Sequence, residues 1–168
     1  MYTAYYPSPI GVLKVVGSHT VIIEVSFIQD PPPMTIIPYR DMPPVIQEAV
    51  LQLDEYFKGE RQHFVWKGHL EGTPFERKVW LAVSEVPFGE TASYKGIATS
   101  IGHPSAVRAV GNANKKNNLV IFIPCHRIVG KNGNLTGYSA GIWRKSWLLN
   151  HEKEVLLGVR GRSKTYFY

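Results

Sequence analysis

The sequence predicts an α+β protein with two domains, residues 1–72 and 73–168. Up to residue 30, short apolar runs alternate with Pro, Gly and Ser, which is the pattern of β-strands joined by turns. From residue 73 onward, Ser, Thr and Pro stand at the starts of segments whose apolar residues have helical spacing. A chain of 168 residues is long enough for one ordinary domain or two small ones.

The first domain is predicted to begin with a β-meander and to continue into one helix. Its predicted elements are a turn at Pro7–Gly11, strands at Val12–Val16 and Thr20–Phe27, a helix from Pro44 that stops at Gly59, and a further strand at Gln62–Trp66. Nothing in this half of the sequence indicates catalysis.

The second domain is predicted to be helical. Thr73, Pro74 and Glu76 form a capping box with proline at the first helical position, and this helix ends before Pro87. The further predicted elements are a helix Tyr94–Ile101 capped by Ser93, a helix capped by Ser105 that runs to about Lys116, a hairpin turn at Lys131–Asn134 and a final helix from Ile142 to Lys153.

The two short helices on either side of Gly102 are typical of a helix-turn-helix, although an ordinary helical hairpin has the same spacing. The second helix reads AVRAVGNANKK, and Arg108 is its only long side chain before the end. Helices that read the major groove usually present several side chains to the base edges. This helix instead suits a close approach of its backbone to a partner, with one arginine projecting.

Charge is distributed unevenly along the chain. Residues 1–72 carry five Lys/Arg and eight Asp/Glu, a net charge of −3, whereas residues 73–153 carry eleven and four, a net charge of +7. A basic second part predicts a polyanionic partner such as nucleic acid. The alternative is a basic surface that meets only solvent.

Cys125 is the only cysteine in the chain, and it lies in the sequence IPCHRIVG. A lone cysteine is most often a small buried hydrophobe. It has no partner for a disulfide, and the six histidines form no zinc-binding pattern. A nucleophilic role requires a cation, a helix N-terminus or a histidine base nearby. His126 is adjacent, but in an extended segment its side chain would point to the opposite face, so contact would need a turn or a bridging water.

The sequence also indicates a compartment. The N-terminus MYTAYYPSPIGVLKVVG lacks the basic start and apolar run of a signal peptide. No stretch approaches the roughly 20 apolar residues of a membrane span. We therefore expect a cytoplasmic protein in a reducing environment.

The segment Pro124–Ile128, together with Arg108–Gly111 and Asn117, resembles the O6-alkylguanine-DNA alkyltransferases. The wider matching stretches are TPFERKVW, PFGETASYKGIA, AVRAVGNANKKN, IPCHRIVGKNG and TGYSAG, in this order. They lie within residues 73–153, and the first half matches only in general character. The resemblance implies a ribonuclease H-like N-terminal domain with an antiparallel sheet, and a helical C-terminal domain with a winged helix-turn-helix.

The resemblance also implies the chemistry. Cys125 would attack the alkyl carbon on O6 of guanine and keep it as a thioether, once per molecule and without a cofactor or metal. His126 would take the thiol proton through a water, and Glu152 would orient His126. Tyr94 would crowd the target phosphate and donate a proton to N3 of guanine. Without the motif, His126 by itself would be interpreted as a structural histidine, and Glu152 by itself as a carboxylate on a helix surface.

For DNA, the resemblance implies a monomer that binds a duplex containing O6-alkylguanine through the minor groove. Arg108 would enter the duplex and replace the flipped nucleotide, at a cost of a few kcal/mol in lost stacking. The further implied DNA contacts are Ser93, Tyr94, Ala106 and Arg127.

The implied pocket consists of side chains and main-chain groups. Asn117 would brace the active-site turn, the carbonyls of Cys125 and Ile128 would accept the guanine amino group, and Tyr138 with the N–H of Ser139 would meet O6. Ala140 stands where many members have a second glycine. This difference bears on the acceptance of bulky O6 substituents, while O4-alkylthymine remains open as a further substrate.

Three other readings compete with alkyl transfer. A non-catalytic sensor of alkylated DNA would share the pocket but lack the cysteine, which is present here. A cysteine hydrolase would need an oxyanion hole and a separate orienting residue. A plain helix-turn-helix regulator would leave Cys125, Tyr94 and Glu152 without a role.

Overall fold

The computed structural model describes residues 1–33 and 37–159. They form two compact units, of which the first is Met1–His69 with the described residues from Glu154 onward, and the second is Leu70–Lys153. The predicted domains, 1–72 and 73–168, stay a prediction, and residues 160–168 lie outside the described ranges. No helix in the described part of the chain is both long enough and apolar enough to cross a membrane.

The first unit contains an antiparallel three-stranded meander, β1 (Tyr2–Ser8), β2 (Gly11–Gly17) and β3 (Ile22–Phe27). The turn between β1 and β2 is only two residues long, because Pro7 and Ser8 pair with Val12 and Gly11 as part of the ladder. The predicted turn at Pro7–Gly11 was therefore too long. Gly11 follows the turn with φ 119°, a conformation that favours glycine.

One helix, α1 (Pro44–Phe57), packs on this sheet through its apolar face. Gly59 ends it with φ 78°, as predicted. The buried core of the unit includes Leu13, Val15 and Val25 from the sheet and Ile46, Leu53 and Phe57 from the helix.

The predicted strand at Gln62–Trp66 is wrong. The side-chain amide of Gln52 holds the backbone of Val65 instead, because Gln52 Nε2 donates to the Val65 carbonyl at 2.7 Å and Oε1 accepts from the Val65 N–H at 2.8 Å. One side chain on α1 thus satisfies the backbone groups that a neighbouring strand would otherwise satisfy.

The second unit contains α2 (Pro74–Ser84), α3 (Tyr94–Ser100), α4 (Val107–Lys115) and most of α5 (Ile142–Leu156). The predicted capping box of α2 and the Ser93 cap of α3 are confirmed by hydrogen bonds. The predicted Ser105 cap is wrong, since Ala106 occupies the N-cap position of α4 and no side chain caps it.

A two-stranded parallel sheet connects the helix-turn-helix to the segment that contains the cysteine. Its strands are β4 (Ala92–Ser93), directly before α3, and β5 (Ile128–Val129), three residues after Cys125. This pairing places the start of α3 beside the chain that leaves the cysteine.

The segment that leads to Cys125 is buried throughout, from Leu119 to Val129. Ile121 lies within it at φ 72°, which is rare for a β-branched residue. Such a conformation persists only where its surroundings impose it. The approach to the cysteine is therefore held in a defined shape by its packing.

Candidate active site

Cys125 begins a 3₁₀ turn, Cys125–Arg127, and its side chain is buried. The turn forms because the Cys125 N–H donates to the Ile123 carbonyl at 2.7 Å and the Arg127 N–H to the Pro124 carbonyl at 2.9 Å. The sequence indicated that a contact between Cys125 and His126 would need a turn or a water. The structure contains the turn.

His126 follows the cysteine and is fully buried against Glu152 of α5. Its Nε2 lies 2.7 Å from Glu152 Oε2. An ionised carboxylate only accepts hydrogen bonds, so Nε2 carries the proton and Nδ1 is the basic nitrogen of the neutral ring. Nδ1 has no hydrogen-bond partner among the residues that the structure describes. The pair Glu152–His126 therefore presents one unprotonated nitrogen beside the nucleophile turn.

Arg127 shares the same carboxylate. Its Nε and Nη2 donate to Glu152 Oε1 and Oε2 at 2.9 and 3.1 Å, and Nη1 donates to the Val86 carbonyl at 2.7 Å. The Gly89 N–H adds a further bond to Glu152 Oε1 at 3.0 Å. Arg127 is 5% exposed, and the DNA contact expected of it from the sequence stays a prediction.

Burial and charge set the protonation of this group. Burial raises the pKa of the Cys125 thiol, against smaller opposing effects of Asn117, Lys145 and Tyr138. Burial lowers the pKa of His126 even though Glu152 raises it. Burial alone would raise the pKa of Glu152, but the charges and hydrogen bonds of His126 and Arg127 outweigh it and hold that pKa well below its usual range. At neutral pH the site thus holds a thiol, a neutral imidazole and a carboxylate.

Two buried asparagines brace the turn. Asn117 Nδ2 donates to the Ile123 carbonyl at 2.9 Å, and its Oδ1 accepts from the Leu119 N–H at 2.8 Å. Asn114 Nδ2 donates to the carbonyl of Cys125 itself at 3.2 Å. Asn117 was expected at this site from the sequence, whereas Asn114 was not. Its signal was a polar residue on the face of α4 that also carries Val110 and Ala113.

Two tyrosines line the thiol side. The hydroxyl of Tyr138 is buried, and the group with which it interacts is the Cys125 thiol. Burial, followed by the charge of Cys125, raises its pKa, which places this hydroxyl beside the thiol. Tyr94 is half-buried at the start of α3, and its hydroxyl donates to the Thr136 carbonyl at 3.0 Å. Burial raises the pKa of Tyr94 as well, so it remains a phenol at neutral pH.

Lys145 is a residue of this site that the sequence analysis missed. It is fully buried on α5, and its ammonium group donates to the carbonyls of Ile128 and Thr136 at 2.5 and 2.8 Å. The signal was its position, seven residues before Glu152 on one helix face, which also carries Leu148.

The remaining predicted site residues lie away from the buried network. Arg108 is exposed on α4, Ala106 is its N-cap, and Ser93 uses its hydroxyl to cap α3 by accepting from the Gly96 N–H at 2.9 Å. Ser139 is exposed and Ala140 half-buried on the loop after Tyr138. A groove of about 650 Å³ runs between the starts of α3 and α4 and the turn at residues 130–133.

Two family models match successive parts of the chain. Residues 74–154 match the family model described as "6-O-methylguanine DNA methyltransferase, DNA binding domain", and residues 1–66 match the ribonuclease-like domain of the same enzymes. The chain belongs to the 6-O-methylguanine DNA methyltransferase family. The predicted resemblance and the predicted α+β fold are thereby confirmed.

Relatives within this family match between 66% and 93% of the chain. The methylated-DNA--protein-cysteine methyltransferase of Methanosarcina barkeri is 41% identical over 93% of this chain and 99% of its own. The constitutive enzyme of Bacillus subtilis is 52% identical over 66% of this chain and 67% of its own. The Mycobacterium tuberculosis OGT in complex with DNA is a similar solved structure, with a TM-score of 0.82 and 41% identity over 92% of this chain and 94% of that one.

Proposed function

We propose that this protein repairs O6-alkylguanine in DNA by transferring the alkyl group to Cys125, once per molecule. The observation that carries the proposal is the sole cysteine placed next to a buried His126–Glu152–Arg127 network. The relatives described above are named methylated-DNA--protein-cysteine methyltransferases, a name that describes transfer of a methyl group from methylated DNA to a protein cysteine. The same chemistry explains why one thiol, a base and a carboxylate are buried together.

In the proposed reaction the thiol first loses its proton. Because burial raises the pKa of Cys125, a base must take this proton, and Nδ1 of His126 accepts it through a water. Glu152 stabilises the imidazolium that forms. The Cys125 Sγ then forms a bond to the alkyl carbon while the bond from that carbon to guanine O6 breaks, and the guanine takes a proton at N3 from the phenol of Tyr94.

We assign the pocket as follows. The hydroxyl of Tyr138 and the N–H of Ser139 donate to O6, and the carbonyls of Cys125 and Ile128 accept from the guanine amino group. Asn117 holds the turn in shape. The half-buried Ala140 narrows the entrance of the pocket relative to a glycine at this position, so transfer of a methyl group is preferred over transfer of a bulky alkyl group.

DNA binds through the helix-turn-helix in this proposal. The small exposed side chains of α4 suit the minor groove, and Arg108 occupies the space of the flipped nucleotide, with Ser93 and Ala106 near the backbone. The nucleotide must leave the stack because a buried thiol cannot be reached by a base inside a duplex. We also propose that the protein acts as a monomer in the cytoplasm, where a reducing environment keeps its thiol available.

Stoichiometry tests the proposed function. A thioether to a methyl group has no good leaving group, so repair with excess O6-methylguanine DNA should plateau at one equivalent per protein. Mass spectrometry should find one added methyl group on the peptide that contains Cys125. Cys125→Ala should bind the DNA and repair none. Repair beyond one equivalent would favour a hydrolase, which passes through a labile thioester and turns over many times.

A further inference from the structure

Asn114 is a buried asparagine on α4 whose side-chain amide is only half satisfied. The residue is 3% exposed, and its Nδ2 donates to the Cys125 carbonyl at 3.2 Å. Because a carbonyl only accepts hydrogen bonds, the NH₂ group of the amide must face Cys125, and this fixes the position of Oδ1. Oδ1 is buried and has no hydrogen-bond partner within the described residues. A buried acceptor without a donor costs stability and calls for an explanation.

The neighbouring acceptor, the main-chain carbonyl of Cys125, is already engaged within the protein. It accepts from the Ile128 N–H, which closes the 3₁₀ turn, as well as from Nδ2 of Asn114. A carbonyl oxygen has two lone pairs, so these two bonds occupy its ordinary capacity. Oδ1 of the same asparagine amide therefore lies beside this carbonyl as an acceptor whose capacity is unused.

The end of α4 holds Asn114 in a defined position. Trp80 Nε1 donates to the Ala113 carbonyl at 2.8 Å, and the Asn117 N–H donates to the Asn114 carbonyl at 3.3 Å. Neither bond engages the side-chain oxygen of Asn114. A fixed acceptor of this kind is what a contact to a substrate requires.

An O6-alkylated guanine supplies a donor of the right kind. Alkylation of O6 leaves N1 without a proton, so the exocyclic amino group is the only N–H donor of the base in DNA. This amino group has two N–H bonds, and the proposed function brings it to the carbonyls of Cys125 and Ile128. It is able to donate to a main-chain carbonyl with one N–H bond and to Oδ1 of Asn114 with the other.

We infer that Asn114 is a substrate-binding residue that selects guanine: its Oδ1 accepts a hydrogen bond from the amino group of the flipped O6-alkylguanine. The inference rests on the function proposed above and adds a residue to its pocket. A site that pairs with an N–H of its substrate rejects an analogue without that group, because the buried acceptor then stays unpaired. O6-alkylhypoxanthine lacks the amino group, and O4-alkylthymine has no N–H donor. Both should therefore be poorer substrates than O6-alkylguanine.

Two substrates and two variants separate recognition of the base from support of the turn. Asn114→Leu keeps the approximate shape of the side chain and removes its donor and acceptor, and Asn114→Ala is a second variant without them. Asn118→Leu, on an exposed asparagine, is the matched control. For each protein we would measure single-turnover transfer from duplexes that contain O6-methylguanine or O6-methylhypoxanthine opposite cytosine, with urea unfolding to establish that it folds. The cost of flipping each base is the same for every variant, so a change in the ratio of the two rates reports on the pocket.

We expect the wild type to prefer O6-methylguanine, and both Asn114 variants to reduce this preference about tenfold by slowing transfer from O6-methylguanine alone. Asn118→Leu should keep the wild-type ratio. An unchanged ratio in a folded Asn114 variant, whether both rates fall or neither does, would overturn the inference. If both Asn114 variants fail to fold, the residue is structural only and the inference is equally overturned. Absence of transfer from O6-methylguanine in the wild type would instead contradict the proposed function.

Discussion

Arg127 and His126 share one buried carboxylate, that of Glu152, and this arrangement determines the protonation of the groups around Cys125. Glu152 accepts hydrogen bonds from both side chains and from the Gly89 N–H. The charge and hydrogen bonds of Arg127 add to those of His126 in holding the pKa of Glu152 well below its usual range, so Glu152 stays ionised at neutral pH. We therefore expect Arg127 to act on the reaction through Glu152.

Separate substitutions of Arg127 and Arg108 test the expected role of Arg127. Arg127→Met should lower the free energy of unfolding by about 3–5 kcal/mol, because it leaves Glu152 buried without its charged partner. Its affinity for undamaged duplex should not change. Arg108→Ala, on an exposed arginine, should have the opposite profile, with unchanged stability and weaker repair of duplex DNA. Urea unfolding measures stability, and binding and repair assays on duplex DNA measure affinity and repair. A loss of DNA affinity with full stability in Arg127→Met would support the DNA contact predicted from the sequence.

The sequence could indicate Cys125, His126 and Glu152 because their combination is specific, but it could not indicate how Arg127 and Lys145 are used. Both residues are basic members of a basic segment, and charge alone predicts a solvent or DNA contact. Their burial depends on which helix face meets the nucleophile turn, and that packing is set by residues far apart in the chain. Lys145 was detectable only through its spacing from Glu152.

At the scale of elements, helix starts were predicted well where a side chain satisfies backbone N–H groups. Thr73 and Ser93 do so at α2 and α3. Ser105 is a residue type that caps helices, but it lies one position before the N-cap. The N-cap of α4 is Ala106, because the helix begins at Val107. The strand predicted at Gln62–Trp66 does not form. Here too a side chain satisfies backbone groups, because the Gln52 amide on α1 takes the place of the hydrogen bonds that a neighbouring strand would make to Val65.

The two serines form a matched pair for testing helix capping. Ser93→Ala should lower stability by about 1 kcal/mol, because it removes the acceptor for the Gly96 N–H at the start of α3. Ser105→Ala should leave stability within about 0.5 kcal/mol of the wild type, as for most surface substitutions. Thermal unfolding of the two variants side by side checks this. Equal losses would mean that Ser105 caps α4 in solution.

At the scale of the whole molecule, the positive charge of residues 73–153 lies nearly all at the surface. Nine of its eleven Lys/Arg side chains are at least partly exposed, and the two buried ones are Arg127 and Lys145. Residues 1–72, by contrast, carry a net charge of −3. The unequal charge along the chain could be counted from the sequence, whereas the burial of Arg127 and Lys145 could not be predicted from it.

Binding to undamaged duplex should therefore fall steeply with added salt and show little sequence preference. Each phosphate contact contributes about −0.9 to the slope of log affinity against log salt. Removing one exposed cation of this segment, as in Lys131→Ala, should make the slope shallower if that lysine contacts a phosphate, while Arg127→Met should leave it unchanged. Titrations at several salt concentrations on unrelated duplexes measure this. A salt-insensitive affinity or a strong consensus sequence would contradict it.

The burial of Cys125 has a further consequence for a protein that reacts once. Such a molecule must wait, in some cases for its whole lifetime, with its sole thiol intact. Oxidation of cysteine follows thiolate character and exposure, and Cys125 is 4% exposed with a pKa raised by burial. We therefore expect burial to slow damage of Cys125 by oxidants and soluble electrophiles until a flipped base enters the pocket.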